Sequence, residues 1–459
     1  MSTLTKILCR NTRRIENGLN VLLKRQESGP SRGPTLRHVK QNLMELMGLE
    51  LGYHPLQSNR DYLLKYLPKT QEELPPRTMQ DSFCEAFVPL STDVLKQEKY
   101  VTFLGHVRLG RLMEDMDMFA VWVAAKHISN PLQPAGVPTP YVLVTVLVDQ
   151  VNFTDLVPQH NADIRLSGHV SWVGRSSIES VVWLEQEVRG QWVKLTRAIF
   201  LMAARNSVNT SAAVVNPLIA GSDYEKGILE GGHDRNVRRK RLASASLLKQ
   251  LPDETEQHVI HSLFLKTVNF SDPTFQNRHL PPNSVWMRTA RISNIVFCHP
   301  EDRNLHNKVF GGFLMRQALE LSWTSAYLYS KVRPKLLHIS DIGFFKPVDV
   351  GSLLQMHSHV IYTEFNYIMV LVHAQVLDPS GMLSTTNNFY YVYEMPEEVK
   401  SIVPESYHEA MLFLDGRRKF QYVMGLNKPP SSSNKKDPND IPQSPYTSSS
   451  SSSSSSSKI

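Results

Sequence analysis

Two stretches of this 459-residue chain decide its fold, because the second repeats the pattern of the first. The first reads VTFLGHVRLGRLMEDMDMFAVW, from Val101 to Trp122, and the second reads PEDRNLHNKVFGGFLMRQALELSW, from Pro300 to Trp323. Placing Gly110 on Gly312 sets Arg-Leu-Met of the first stretch against Phe-Leu-Met of the second. Each stretch is a loop that leads into an apolar helix, which indicates two copies of one module.

The two copies differ at the positions where chemistry is expected. In this register Asn304 aligns with Thr102, and Leu319 aligns with Asp117. One copy therefore keeps an amide in its loop, whereas the other keeps a carboxylate on its helix. Complementary loss of this kind is what a duplicated enzyme with one composite site per chain should show, so we predict that both copies contribute to a single site.

A second register supports the duplication. His169 and His359 are each followed by valine, and their separation is shorter than the separation between Asp117 and Leu319. The first copy must therefore contain extra residues between its helix and its histidine. The Pro-rich sequence NPLQPAGVPTP at 130–140 provides them. A duplicated module with one longer loop is therefore predicted.

Composition narrows the class of protein. The formal charge of +7 and the pI of about 9.1 are basic, but they are not by themselves a nucleic-acid signature. Much of the excess is local, at the N-terminus and in the run VRRKR at 237–241, for which we expect a solvated linker. Three widely spaced cysteines form neither a zinc pattern nor a disulfide framework, which favours a reducing compartment. No stretch has the apolar length of a membrane span.

The first fifteen residues, MSTLTKILCRNTRRI, contain no acidic side chain. Leu4, Ile7 and Leu8 share one face of a predicted helix, and basic residues lie toward the other. Such a segment is typical of a mitochondrial transit peptide, and the alternative is a disordered basic N-terminus.

The order of predicted elements in each module is one strand, one long apolar helix and several further strands, which indicates an α+β fold. We expect the helices at 110–127 and 311–329, and a connector helix in RLASASLLKQL at 241–251. The predicted divisions are a transit peptide and flexible start at 1–30, a helical lead-in at 31–81, a first module at 82–205, a connector at 206–283, a second module at 284–398, a C-terminal extension at 399–428 and a disordered Ser-rich tail at 429–459.

The pattern P-E-D-x-N…V-F-G-G-x-L-M, together with RLGRLMEDMDMFA and the strand GRSSIE at 174–179, resembles the acyl-CoA thioesterase family over roughly residues 60–425. The resemblance implies a tandem hotdog fold, in which each antiparallel sheet wraps around a central helix and the two sheets are continuous. It implies hydrolysis of acyl-CoA to a carboxylic acid and CoA in the mitochondrial matrix, with no metal or redox cofactor. It also implies a homotrimer of double modules. We expect no nucleic-acid partner and no integral membrane span. The preferred acyl chain length does not follow from the sequence.

Helix geometry places Asp117 at the edge of an apolar stripe on the first helix, about 20° beyond Ala124. Geometry alone favours a solvated carboxylate, because edge acids on helices are common. The resemblance instead implies a catalytic carboxylate, acting as a general base on water or attacking the thioester carbonyl directly. Partial burial would raise the pKa of such a group toward neutrality.

The loop and helix start of the second copy hold the other predicted site residues. Asn304 could be an ordinary turn residue, but the resemblance implies that it orients the thioester carbonyl or the water. Gly311 and Gly312 let the backbone approach a ligand closely. The N–H group of Gly312 could then stabilise an oxyanion, although a tight turn would also need glycine.

Three further residues define alternatives. Glu320 could replace the acid that its own module lacks, but one helical step turns it by about 100°. Asp302 and His306 complete a D-x-N-x-H pattern that resembles hotdog enoyl-CoA hydratases, whereas a lone loop histidine is more often a surface residue. A third alternative is a non-catalytic acyl-CoA-binding protein. Arg175, at a strand start, is our candidate contact for a CoA phosphate.

Overall fold

The computed structural model describes residues 33–49, 59–149, 151–153, 158–271, 274, 277–304 and 308–426. The predicted transit peptide and the Ser-rich tail lie outside these residues. Within them, no helix is both long and apolar enough to cross a membrane. The helices are α1 (Leu36–Met47), α2 (Met79–Ser82), α3 (Val94–Tyr100), α4 (Leu109–His127), α5 (Asp223–Ser244), α6 (Glu254–Leu265), α7 (Gly311–Ser330) and α8 (Tyr407–Val423).

Most of the strands form one continuous sheet. The strands of the described residues are β1 (Cys84–Val88), β2 (Tyr141–Val148), β3 (Val151–Phe153), β4 (Ile164–Val173), β5 (Ser177–Val188), β6 (Gln191–Asn206), β7 (Ser284–Trp286), β8 (Arg291–Phe297), β9 (Lys335–Ile339), β10 (Ile342–Phe344), β11 (Leu353–Glu364), β12 (Tyr367–Leu377), β13 (Leu383–Glu394) and β14 (Ser401–Val403). Strands β7 and β14 pair with each other, apart from the large sheet.

The twelve-stranded sheet runs in the order β1-β4-β5-β6-β2-β10-β13-β12-β11-β8, with β3 and β9 paired beside it. All of its pairings are antiparallel, and the two modules join where β2 meets β10 and β3 meets β9. Helix α4 packs on the strands of the first module and α7 on those of the second, and the two helices also contact each other. The predicted tandem hotdog with continuous sheets is therefore confirmed.

Backbone features of the first module recur in the second, in the two registers that the sequence predicted: a loop hydrogen bond in the glycine register and a β-bulge in the histidine register. The N–H of Arg108 donates to the carbonyl of Tyr100 at 2.7 Å, and in the glycine register the N–H of Phe310 donates to that of Asp302 at 2.9 Å. The β-bulge after Val170 recurs in the histidine register, after Val360. Both registers are therefore present in the fold, and they relate the halves by an approximate two-fold axis.

The repeat includes a helix that follows the strands of each module, and the sequence had not predicted this part of the repeat. Ser222 caps α5 by accepting from the N–H of Glu225, and in the second half Ser406 caps α8 by accepting from the N–H of Glu409. Side-chain oxygens at an N-cap satisfy backbone donors that the helix leaves free. A Cβ on Gly232 of α5 would lie 2.4 Å from Trp172. Each module therefore ends in a similarly capped helix.

Two expectations for the connector are wrong. Helix α5 ends at Ser244, so only the first four residues of the predicted helix at 241–251 are helical. The basic run at 237–241 belongs to α5, and two of its arginines, Arg238 and Arg239, form ion pairs with Asp149. Charges on this helix face are paired with acids of the sheet, so the run is not a solvated linker.

The shortest ion pairs between α5 and the sheet involve Glu179, in the GRSSIE motif. Its side chain is 0% exposed and accepts from Arg235 at 2.6 Å and from Arg239 at 2.5 Å. The hydroxyl of Ser171 donates to the same carboxylate at 2.9 Å. Because a buried carboxylate without partners is very costly, these contacts hold α5 in place on the sheet.

Candidate active site

Asp117 lies at the contact between the two central helices. Its side chain faces the interior and is 1% exposed. One carboxylate oxygen accepts a hydrogen bond from the Thr145 hydroxyl at 2.8 Å, and the other accepts from the backbone N–H of Gly312 at 2.8 Å. The carboxylate of the first module is thus held at the N-terminus of α7 in the second, where free N–H groups and the helix dipole favour an anion.

Burial raises the pKa of Asp117 from its usual range to about 6. The hydrogen bonds from Thr145 and Gly312 act in the opposite direction, and the nearby charge of Glu114 adds to the rise. A carboxylate with such a pKa is mostly ionised at neutral pH and is basic enough to accept a proton. The solvated alternative for Asp117 is therefore excluded.

The glycine pair at the start of α7 permits the close contact between the modules. A Cβ on Gly312 would lie 2.6 Å from the Cα of Glu114 on α4. A Cβ on Gly311 would lie 3.1 Å from the carboxylate of Asp117 and 3.0 Å from the ring of Phe344. Side chains at these positions would push the helices apart, so glycine is needed for close approach.

Asn304 lies in the loop that leads into α7. Its backbone N–H donates to the carbonyl of Lys308 at 2.6 Å, and its side-chain oxygen accepts from the N–H of Lys308 at 3.1 Å. The loop is closed at the helix by the hydrogen bond from Phe310 to Asp302. These hydrogen bonds connect Asn304 to Lys308, and they connect Asp302 to the residue that precedes α7.

The chain is similar in sequence to known thioesterases over most of its length. No family model matches the chain. A relative from Bos taurus, acyl-coenzyme A thioesterase 9, mitochondrial, is 38% identical over 405 residues, which cover 87% of this chain and 92% of the relative. Its namesake from Mus musculus is 40% identical over 393 residues, covering 84% and 88%. The chain belongs to the acyl-coenzyme A thioesterase family.

Membership of this thioesterase family confirms the resemblance that the motifs indicated, including the reaction class of an acyl-CoA hydrolase. The relatives from both mammals are named mitochondrial, which agrees with the predicted mitochondrial location. Among solved structures, an acyl-ACP thioesterase from Bacteroides thetaiotaomicron has a TM-score of 0.40 and 9% identity, and covers 69% of this chain and 100% of its own. That structural likeness is weak, and the family assignment is based on the sequence relatives.

The thioesterase fold contains a counterpart of the site, related by the approximate two-fold axis. Leu319 stands at the position equivalent to Asp117. Leu336 stands at the position equivalent to Thr145, because Leu336 pairs with β13 in the same way as Thr145 pairs with β6. Leu109 takes the place of Gly311. The counterpart therefore lacks the carboxylate, its hydroxyl partner and the small residue at the helix start.

Other predicted residues lie apart from the Asp117 carboxylate. Glu320 is 45% exposed and pairs with Arg108 at 2.5 Å across the counterpart site. Arg175 is exposed at the turn between β4 and β5. Burial raises the pKa of Asp302, which is near Glu301 and Arg316, and His306 lies outside the described residues. The structure brings together Asp117 and Gly312, and adds Thr145.

Thr145 had no distinguishing signal in the sequence, because it lies in a continuous apolar strand, YVLVTVLV. Asp115 was also missed: it is 7% exposed and accepts from the Tyr100 hydroxyl at 2.5 Å. Burial raises the pKa of Asp115 to about 7. Among the described residues, no group of three or more His, Cys, Asp or Glu side chains could hold a metal ion.

Proposed function

We propose that this protein hydrolyses acyl-CoA at one composite site per chain. The observation that supports it is the 2.8 Å hydrogen bond between the Asp117 carboxylate of the first module and the Gly312 N–H of the second. The counterpart position carries Leu319, which cannot act as an acid or a base. The two modules thus supply different parts of one site.

In the proposed reaction Asp117 acts as the general base. It takes a proton from water as the water oxygen attacks the thioester carbonyl carbon. The carbon–sulfur bond then breaks, the free acid forms, and the CoA thiolate receives a proton. With a pKa of about 6, Asp117 is ionised at the alkaline pH of a mitochondrial matrix and remains buried, so the proton transfer is favourable.

The Gly312 N–H is committed to Asp117 in the free protein. We propose that the thioester carbonyl oxygen takes over this donor when substrate binds, so that the amide stabilises the developing oxyanion. Loss of the hydrogen bond would at the same time make Asp117 more basic, because that bond lowers its pKa. Asn304, held in the preceding loop, would orient the carbonyl or the water.

The remaining features of the proposal follow from family membership and chemistry. Hydrolysis of a thioester requires no redox cofactor, and the proposed site uses none. Arg175 would contact a CoA phosphate, and the double modules would assemble into a homotrimer in the matrix.

The proposal is tested by measuring CoA release from a panel of acyl-CoAs with wild-type protein and the Asp117→Asn variant. Asp115→Asn is a matched control, because it changes a second buried acid on the same helix. We expect turnover by the wild type and the control, with a loss of at least about a thousandfold in Asp117→Asn. Turnover that survives in Asp117→Asn but is lost in Asp302→Ala would overturn the site and favour the hydratase-like residues.

A further inference from the structure

Phe344 stands next to the proposed catalytic carboxylate. A Cβ built on Gly311 would lie 3.0 Å from Cε1 of the Phe344 ring and 3.1 Å from Oδ2 of Asp117. The ring edge and the carboxylate therefore flank one point at the start of α7. Phe344 ends β10, whose first residue, Ile342, pairs with Val148 of the first module. The ring is thus placed by the junction of the two sheets.

Phe344 can be compared with Phe153, which occupies the equivalent position in the first module. Phe344 pairs with Asn387 of β13, and at the equivalent position of the first module Phe153 pairs with Thr196 of β6. Both phenylalanines are half-buried and pack against the core. The counterpart of Gly311 is Leu109, however, so glycine stands next to the phenylalanine ring only in the composite site. The ring adjoins a carboxylate only in the composite site, because Leu319 replaces Asp117 in the counterpart.

We propose that Phe344 is a specificity-determining residue that contacts the acyl carbons next to the thioester carbonyl and selects against branching there. This inference rests on the proposed function, and it adds which part of the substrate the site inspects.

Distance decides which acyl carbons the ring can reach. The carbonyl carbon must come within about 3–3.5 Å of the attacking oxygen for reaction, and that oxygen is hydrogen-bonded to Asp117 in the proposed step. A ring that lies beside Asp117 is therefore within contact distance of the first acyl carbons, whereas the chain end is too far away. Its apolar edge suits hydrocarbon rather than the polar CoA part.

The size of the effect follows from contact with a single methyl group. Discrimination of one methylene or methyl in an apolar pocket is worth about 1–3 kcal/mol, or roughly 10–200-fold in kcat/KM. Butyryl-CoA and isobutyryl-CoA have the same atoms and differ only in branching next to the carbonyl. Their ratio of kcat/KM isolates the proposed contact from chain length and from CoA binding.

The experiment measures kcat/KM for butyryl-CoA, isobutyryl-CoA and decanoyl-CoA with the wild type, Phe344→Ala and Phe153→Ala. In Phe344→Ala we expect the butyryl-to-isobutyryl ratio to fall by about tenfold, while the butyryl-to-decanoyl ratio changes less than about threefold. Phe153→Ala, the same substitution at the symmetric position, should keep both ratios. A Phe344→Leu variant that recovers part of the ratio would exclude general unfolding as the cause.

Each other outcome has a definite meaning. An unchanged butyryl-to-isobutyryl ratio in active Phe344→Ala protein would overturn the specificity role and leave the proposed function intact. Equal changes in Phe344→Ala and Phe153→Ala would also overturn it, because the effect would then come from the fold. Wild-type protein that releases CoA from none of the substrates would instead overturn the proposed function.

Discussion

The two halves of this molecule share one fold but differ at the same structural positions. The first half keeps Asp117 and Thr145, and the second has Leu319 and Leu336 in their places. Hydrogen bonds of the loops, the bulges and the helix caps all repeat between the halves. The backbone scaffold has therefore been retained in both halves, whereas the polar residues to which we assign the chemistry differ between them.

The two halves also differ in the side chains that face their terminal helices, α5 and α8. In the first half, buried Glu179 holds α5 through arginine. Its counterpart in the second half is Met369, which is 0% exposed and pairs with Tyr362 of the sheet. The ring of Tyr362 packs against Phe413 and Phe420 of α8, at 5.0 and 5.4 Å between ring centroids, so an ionic anchor in one half corresponds to apolar packing in the other. The halves differ in how their terminal helices are stabilised as well as in chemistry.

The largest expected effect tests that anchor. Glu179→Ala should lower the free energy of unfolding by about 3–5 kcal/mol, because buried Arg235 and Arg239 would both lose the Glu179 carboxylate. Met369→Leu, at the symmetric position, should cost less than about 1.5 kcal/mol. Chemical denaturation measures both. Similar small losses in the two variants would show that the ionic contacts contribute little.

Next in size is the loss of Asn304. Asn304→Ala should lower kcat/KM by about a hundredfold or more, in the range found when one transition-state hydrogen-bond donor is removed. Thr102→Ala, its symmetric control, should change kcat/KM by less than about twofold. Steady-state CoA release is the measurement. Equal losses at the two positions would mean that both loops serve catalysis.

A third prediction concerns stability and pH. Because the pKa of Asp117 is raised from 3.8 to about 6, the folded state binds the proton more tightly than the unfolded state. The resulting stability is full below about pH 3.8 and is lost as pH rises through about 6, by roughly 3 kcal/mol. Unfolding free energies of wild type and Asp117→Asn, measured between pH 4 and 8, should decline more steeply in the wild type, because Asp115, whose pKa burial raises to about 7, is present in both. A parallel pH dependence in both would assign it to other groups.

The smallest effect is expected at Thr145. Thr145→Val keeps the shape but removes the hydrogen bond to Asp117, so kcat/KM should fall by about 10–100-fold. That hydrogen bond lowers the pKa of Asp117, so the acid limb of the pH–rate profile should move to higher pH. An acid limb that moves to lower pH, or does not move, would contradict the role given to Thr145.

The sequence predicted the repeat, and it singled out Asp117 and Gly312, which the fold brings into contact, but it did not predict the other contacts. The glycine register and the complementary residues at 117 and 304 were visible because duplication supplies an internal comparison. Thr145 and Phe344 were not visible, because their importance arises from strand pairing between distant segments. The role of Glu179 was missed for the same reason: its partner Arg235 lies far along the chain, on a helix whose packing no local pattern indicates.

The most direct test of one site per chain is a double-mutant cycle in kcat/KM between Asp117→Asn and Asn304→Ala. If both residues serve one site, each single variant loses nearly all activity, and the double variant is little worse than Asp117→Asn alone, because residues that act as a unit are not additive. Two independent sites would instead leave about half of the wild-type activity in each single variant and none in the double variant, and that result would contradict the account.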